Sequence, residues 1–224
     1  MKERLRNNLD QVIANIEQAR ITVSEHHIVK IVAVGKYSDE ASIATLYALG
    51  QRAFGENQVQ QLATRMENLD HLPLEWHIIG SLQSNKINKL LELRPSMFQA
   101  LDSLKLAEAL NKRLTERQQT LNTLLQINAA GETTKSGVAL DQAVDIYQQI
   151  QASYPQIKLK GVMSIGAHTE EAHAIQKSFE DTYKVYETLQ KDGAKVCSMG
   201  MSNDYELAIR CGSNLVRIGS KIFN

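Results

Sequence analysis

Cysteine, proline and an excess of either charge are all scarce in this chain, and each scarcity closes off a class of protein. Of 224 residues only two are cysteines, Cys197 and Cys211, and neither lies in a Cys-x-x-Cys or Cys/His spacing. A disulfide-built secreted scaffold is excluded by that count, and no zinc site is expected. Three prolines (Pro73, Pro95 and Pro155) and the lack of any Pro-rich or Gly/Ser-rich stretch leave no visible linker. Residues 1–224 therefore read as one domain. Lysine plus arginine number 25, as do aspartate plus glutamate, so the formal net charge is zero. A neutral chain exerts no general pull on nucleic acid or an anionic membrane. No apolar run reaches membrane-spanning length, and the opening MKERLRNNLD holds no signal-like apolar stretch. The expectation is a cytoplasmic protein without a membrane or nucleic-acid partner.

What is present is a steady alternation. Leu5, Leu9, Val12, Ile13 and Ile16 follow one face of a leading helix over roughly residues 2–25. The run from Ile28 to Val34 is β-branched on both alternating faces, as in a strand buried in a parallel sheet, and ends at Gly35-Lys36. Ser38 is placed to cap the next helix. Further strands are expected at 52–55, 76–80, 97–101, 121–128, 158–165, 194–199 and 215–219. Helices are expected between them, among them one capped by Asp102, one at 140–150 after a polar loop, one from Glu170 to Gln190 and one from Asp204 to Cys211. Eight strands alternating with helices predict a closed (β/α)8 barrel with an extra N-terminal helix. An open doubly wound sheet is the competing architecture.

In such a barrel, active groups project from the C-terminal ends of the strands. Lys36 leaves the first strand there. An apolar strand behind it would desolvate the amine, turn it into the mouth and favour attack on an aldehyde. The seventh strand runs into Ser198-Met199-Gly200-Met201-Ser202-Asn203-Asp204, and the eighth ends Arg217-Ile218-Gly219-Ser220. Glycine lets amides approach an anion closely, serine adds hydroxyls, and these two loops are where barrels commonly bind phosphate. Taken singly, each is also an ordinary βα turn, with Ser202 as a helix cap. A reactive amine beside a phosphate cradle, adjacent by closure of the barrel, fits pyridoxal 5′-phosphate (PLP), which carries both an aldehyde and a phosphate.

Other residues leave two readings open. Arg217 could meet the pyridine nitrogen, to which a permanently charged guanidinium only donates, or it could clamp phosphate or form a rim salt bridge. Asn57 could donate to the ring oxygen or serve its own turn. His77 beside Trp76 reads as a satisfied core histidine, Lys86 and Lys89 as a solvated helix face, and Cys197 as a small buried apolar residue.

The stretches Ala33-Val34-Gly35-Lys36, Phe54-Gly55-Glu56-Asn57, Trp76 through Lys86, Ser198 through Ser202 and Val216 through Gly219 together resemble the YggS/PROSC family of PLP-binding proteins over nearly the whole chain. The family in turn resembles the barrel domain of bacterial alanine racemase. The resemblance implies a Schiff base on Lys36 and phosphate contacts from Ser198–Ser202 and Gly219–Ser220. It implies a role in buffering or delivering PLP, affecting amino-acid and keto-acid balance, with no established enzymatic activity. PLP-dependent apoenzymes are the acceptors such a role would serve, and a monomer is expected because no dimerisation module is visible. The chain departs from the family's habit at Gly35, where serine is usual, at Gln61, where glutamate is common, and at Asn224, where glycine is usual. The alternative is an amino-acid racemase or related PLP enzyme of the same fold. It needs a second proton donor facing the lysine, a part that Tyr37 or Tyr205 would have to play, because no added domain follows the eighth strand.

Overall fold

Strands buried on both faces need helices over the outside and side chains filling the inside, and the chain satisfies both demands by closing on itself. The structure, a computed structural model, describes residues 1–132, 136–169 and 171–224. The first four strands are β1 (Lys30–Val34), β2 (Ala53–Glu56), β3 (Glu75–Ile78) and β4 (Met97–Leu101). After them come β5 (Leu121–Asn128), the two-residue β6 (Val138–Ala139), β7 (Ile157–Ser164), β8 (Val196–Ser198) and β9 (Leu215–Ile218). All pairings are parallel, in the order β4-β3-β2-β1-β9-β8-β7-β5, and a β4–β5 pairing closes the ring. β6 lies outside that ring, paired with the end of β5. The eight-stranded barrel is thus the one expected, and the open sheet is excluded.

Helices α1 (Lys2–Ile21), α2 (Glu40–Ala48), α3 (Val59–Asn68), α4 (Ile87–Leu93) and α5 (Leu104–Glu116) cover the first half. α6 (Ala143–Ser153), α7 (Ala172–Leu189), α8 (Tyr205–Arg210) and α9 (Ser220–Phe223) cover the second. Leu5, Leu9, Val12, Ile16 and Ala19 form the buried stripe of α1, which packs on α2, α8 and α9. Ile13, expected on that stripe, is instead exposed. Polar contacts fix the helix further: Asn8 Nδ2 donates to Ile222 O at 3.1 Å, and Asn15 Nδ2 to Tyr205 OH at 3.0 Å.

Several boundaries move, each for a local reason. β1 starts at Lys30 rather than Ile28, whose side chain is exposed. Asp39, not Ser38, caps α2 by accepting from Ser42 N at 2.8 Å, while the Ser38 hydroxyl turns back to Gly35 O. Ser103, not Asp102, caps α5, and its own hydroxyl donates to the Asp102 carboxylate. β8 is shorter than expected because Met199 already turns toward Gly200. α8 begins after Asp204, so Ser202 is no helix cap. The expected helix start at Glu170 and part of the polar loop before Val138 lie outside the described residues. Among the described residues no helix is long and apolar enough to cross a membrane, and no His/Cys/Asp/Glu cluster could hold a metal ion.

Candidate functional site at the C-terminal rim of the barrel

Lys36 sits on a β-turn just past β1. Gly35 O accepts from Ser38 N at 2.8 Å, so Lys36 and Tyr37 are the two central residues of the turn. β1 is flanked by β2 and β9, with Val34 opposite Gly55 and Ala33 opposite Ile218. That register sets the Lys36 turn between Asn57 on one side and Gly219-Ser220 on the other. The amine itself is not buried as its apolar strand suggested. Lys36 is exposed, and its ammonium stands 4.8 Å from the centroid of the Tyr37 ring. The strand supplies a rigid base, but the turn carries the side chain clear of the apolar wall.

Asn57 is half-buried, and its backbone is pinned by the chain after β3. A Cβ built on Gly80 would lie 2.3 Å from Asn57 O, so only glycine lets the two rims meet. The loops after β8 and β9 are stitched together: Gly219 N donates to Ser202 Oγ at 3.2 Å, and Arg217 N to Gly200 O at 3.0 Å. Gly200 has φ +93°, and a Cβ there would strike Ala208 Cβ at 2.7 Å. The backbone conformation and the packing therefore both demand glycine. The expected cradle residues are brought together, though not all as donors. Met199 is buried, and its amide is occupied by Leu215 O and Ser213 Oγ. Met201 N donates to Asp204 Oδ1 at 2.6 Å. Ser198 points inward rather than to the rim.

Inside the barrel a line of buried polar groups crosses the floor of this rim. Gln99 Nε2 meets His77 Nδ1 at 2.8 Å, and Ser198 Oγ donates to Gln99 Oε1 at 2.7 Å. Arg217 NH1 donates to Ser198 Oγ at 2.6 Å and to Ser198 O at 2.9 Å, and its NH2 donates to Ser164 O at 2.8 Å. The Thr182 hydroxyl reaches Ser164 Oγ at 2.9 Å. Burial, with a smaller push from the Lys30 ammonium, lowers His77 to about 4. The ring is therefore neutral at pH 7, so Nδ1 can accept from Gln99, as a satisfied core histidine should. Burial also pulls the Arg217 guanidinium down to about 10, against the attraction of Asp204. It is no rim salt bridge; it is the centre of the network. Burial pushes the Cys197 thiol well above its ordinary range, so it is inert packing.

Sequence reasoning missed Glu56, at the end of β2. Its side chain is fully buried, yet neither carboxylate oxygen has a hydrogen-bond partner among the described residues. Arg65 Nε lies 3.5 Å from Oε1, an ion pair but not a well-formed hydrogen bond. Burial pushes the carboxyl up to about 7, opposed by Arg65. The stability it contributes is held by the protonated form. That contribution is complete below the ordinary value of 4.5 and is lost as pH rises through about 7. Glu56→Gln, neutral throughout, removes this dependence. Between pH 5 and 8 the wild type should lose up to about 3 kcal/mol relative to the variant, at about 1.4 kcal/mol per pKa unit. Urea unfolding of both proteins at the two pH values measures it, and parallel profiles would refute the assignment.

Residues 7–224 match the family "Alanine racemase, N-terminal domain". The chain is 53% identical over 218 residues to the pyridoxal phosphate homeostasis protein of Helicobacter pylori (strain 26695), covering 97% of each. The structure of PipY from Synechococcus elongatus PCC7942 with PLP bound superposes with a TM-score of 0.83 at 28% identity, covering 98% of this chain and all of that one. Alanine racemase of Clostridium difficile 630 superposes with a TM-score of 0.78 at 16% identity over 98% of this chain and 56% of its own, a likeness of fold alone. With the barrel, the Lys36 turn and the paired glycine loops in place, this chain belongs to the pyridoxal phosphate homeostasis protein family.

Proposed function

We propose that the protein carries PLP covalently on Lys36 and buffers or delivers it, with no substrate turnover of its own. The observation that supports this most directly is the position of the β1 turn beside two loops bound to each other, Ser202 Oγ accepting from Gly219 N. When bound, the cofactor supplies an aldehyde that a primary amine can condense with and a phosphate that needs donors. The chain has both complements at one rim. Ser202, whose hydroxyl accepts from Gly219, retains its own proton to donate outward. The amides of Gly200, Ser202 and Ser220 are assigned to the phosphate. A Cβ on Gly219 would come within 3.2 Å of Val34 O, so a side chain there would crowd the space between the cradle and the lysine turn. Arg217 is assigned to the cofactor's ring side, where it can donate but not accept. Asn57 flanks the turn on the β2 side.

The racemase alternative requires an acid–base group opposing the lysine across a substrate. Tyr37 shares the turn with Lys36, and the Tyr205 hydroxyl is buried against Asn15 of α1. Neither stands opposite, so the carrier reading is preferred. A monomer that hands its cargo to PLP-dependent apoenzymes is the corresponding partner assignment. The test is direct. The purified protein, given PLP, should show the visible absorbance of a lysine-bound cofactor, and borohydride should fix it to the peptide containing Lys36. A colourless protein after PLP addition, or turnover of L-alanine or L-serine above about 1 s⁻¹, an ordinary enzymatic rate, would overturn it.

A further inference from the structure

We infer that Arg65 and Gln61 of α3 are positioning residues for Lys36, with Arg65 seated against the buried Glu56. The inference rests on the carrier reading only for its functional meaning. The geometry stands by itself. Three backbone carbonyls around Lys36 are held by these two side chains. Gln61 Nε2 donates to Lys36 O at 2.8 Å. Arg65 NH2 donates to Gly35 O at 3.3 Å and also to Ser38 O. The guanidinium is almost wholly buried and is fixed on its other edges by Glu40 Oε1 at 3.1 Å and Glu56 Oε1 at 3.5 Å.

The arrangement is more specific than stability requires. A turn of four residues at an exposed rim ordinarily moves freely, because its carbonyls are satisfied by water. Here the planar guanidinium reaches both ends of the turn at once, and the Gln61 amide takes its middle. A glutamate at 61 could not make that last bond, because a carboxylate has no proton to give. Glu56 is buried directly under the turn: a Cβ on Gly35 would lie 3.0 Å from its Oε1. Burying a carboxyl group is costly unless a partner stands against it, and Arg65 Nε lies 3.5 Å from Glu56 Oε1. That contact seats the guanidinium so that it stays aimed at the turn. The lysine is thus anchored by its backbone while its side chain is left exposed.

The experiment compares wild type, Arg65→Met, Gln61→Ala and Lys36→Ala. Without cofactor, hydrogen–deuterium exchange of the peptide spanning residues 35–39 should speed up at least about tenfold in Arg65→Met, where two charge-assisted bonds are lost. It should speed up about threefold to fivefold in Gln61→Ala, where one neutral bond is lost. With PLP, formation of the borohydride-fixed adduct should slow in the same order. Binding of pyridoxine 5′-phosphate, which lacks the aldehyde, should stay within about twofold of wild type, because the cradle lies on other strands. A structural role alone would weaken both ligands together. Unchanged exchange and unchanged adduct formation overturn the inference. If Arg65→Met fails to fold, Gln61→Ala decides, since its amide lies at the surface. An adduct that persists in Lys36→Ala refutes the carrier reading instead, and leaves the exchange result to judge the clamp.

Discussion

Lys36→Ala should abolish the borohydride-fixed adduct while leaving the barrel as stable as the wild type. Lys36 is exposed, and among the described residues its side chain makes only a ring contact with its neighbour Tyr37. Surface replacements of that kind change stability by no more than about 0.5 kcal/mol. The covalent link, in contrast, has no substitute, because a second amine would have to reach the same aldehyde while the phosphate stayed in its cradle. Affinity should fall without vanishing. The donors assigned to the phosphate lie on the loops after β8 and β9, so the substitution leaves them in place and weak, reversible binding should persist. Equilibrium dialysis with PLP, mass spectrometry of the reduced protein and urea unfolding measure the three quantities. A variant that still carries a reducible adduct would sink the assignment of this lysine.

Arg217→Met should cost the protein both stability and cofactor. Methionine relieves the desolvation that pulls the guanidinium down to about 10. It also leaves Ser198 O and Ser164 O in the barrel interior without the donors at 2.9 and 2.8 Å. Two buried carbonyls stripped of partners cost about 1–3 kcal/mol each. The relief is the smaller term, since methionine has no group to satisfy what is left. We expect a net loss of about 2–4 kcal/mol, seen as a lower urea midpoint with an unchanged slope. The loss should reach PLP retention too, because Arg217 NH1 holds both the carbonyl and the hydroxyl of Ser198, where the loop that forms the cradle begins. A variant with wild-type midpoint and cofactor content would show that the network is ornamental.

The barrel was legible because its strands are largely apolar and its candidate site residues fall at strand ends. Ile31 through Val34 is apolar on both faces, with no alternation that would expose one of them, which points to a covered parallel sheet. The paired loops were legible because Gly200 and Gly219 recur where barrels bind anions. Less visible was what a side chain does once it turns inward. Gln99 is a lone amide inside the apolar run of β4, and that isolation is the one local sign of the buried line from His77 to Arg217. Glu56 and Arg65 carry no such sign. They are nine residues apart on a strand and a helix, and only the packing of α3 over the β1 turn makes them partners. Cap positions slipped by one residue at Ser38 and Asp102 because neighbouring Asp39 and Ser103 are equally good acceptors, and sequence cannot tell which faces the helix. The posture of Lys36 was misjudged for a similar reason. An apolar strand fixes where a turn begins but not how far the turn lifts its side chains.

The lift has a consequence for traffic. Tyr37 is 91% exposed, and the lysine amine stands 4.8 Å from its ring centroid on the turn that leaves β1. Cargo tethered at such a point can be claimed from outside by a competing amine on a larger body, with no need for the shell to breathe. Unloading should then be paced by how often a recipient collides with that turn, and should quicken in proportion to its concentration.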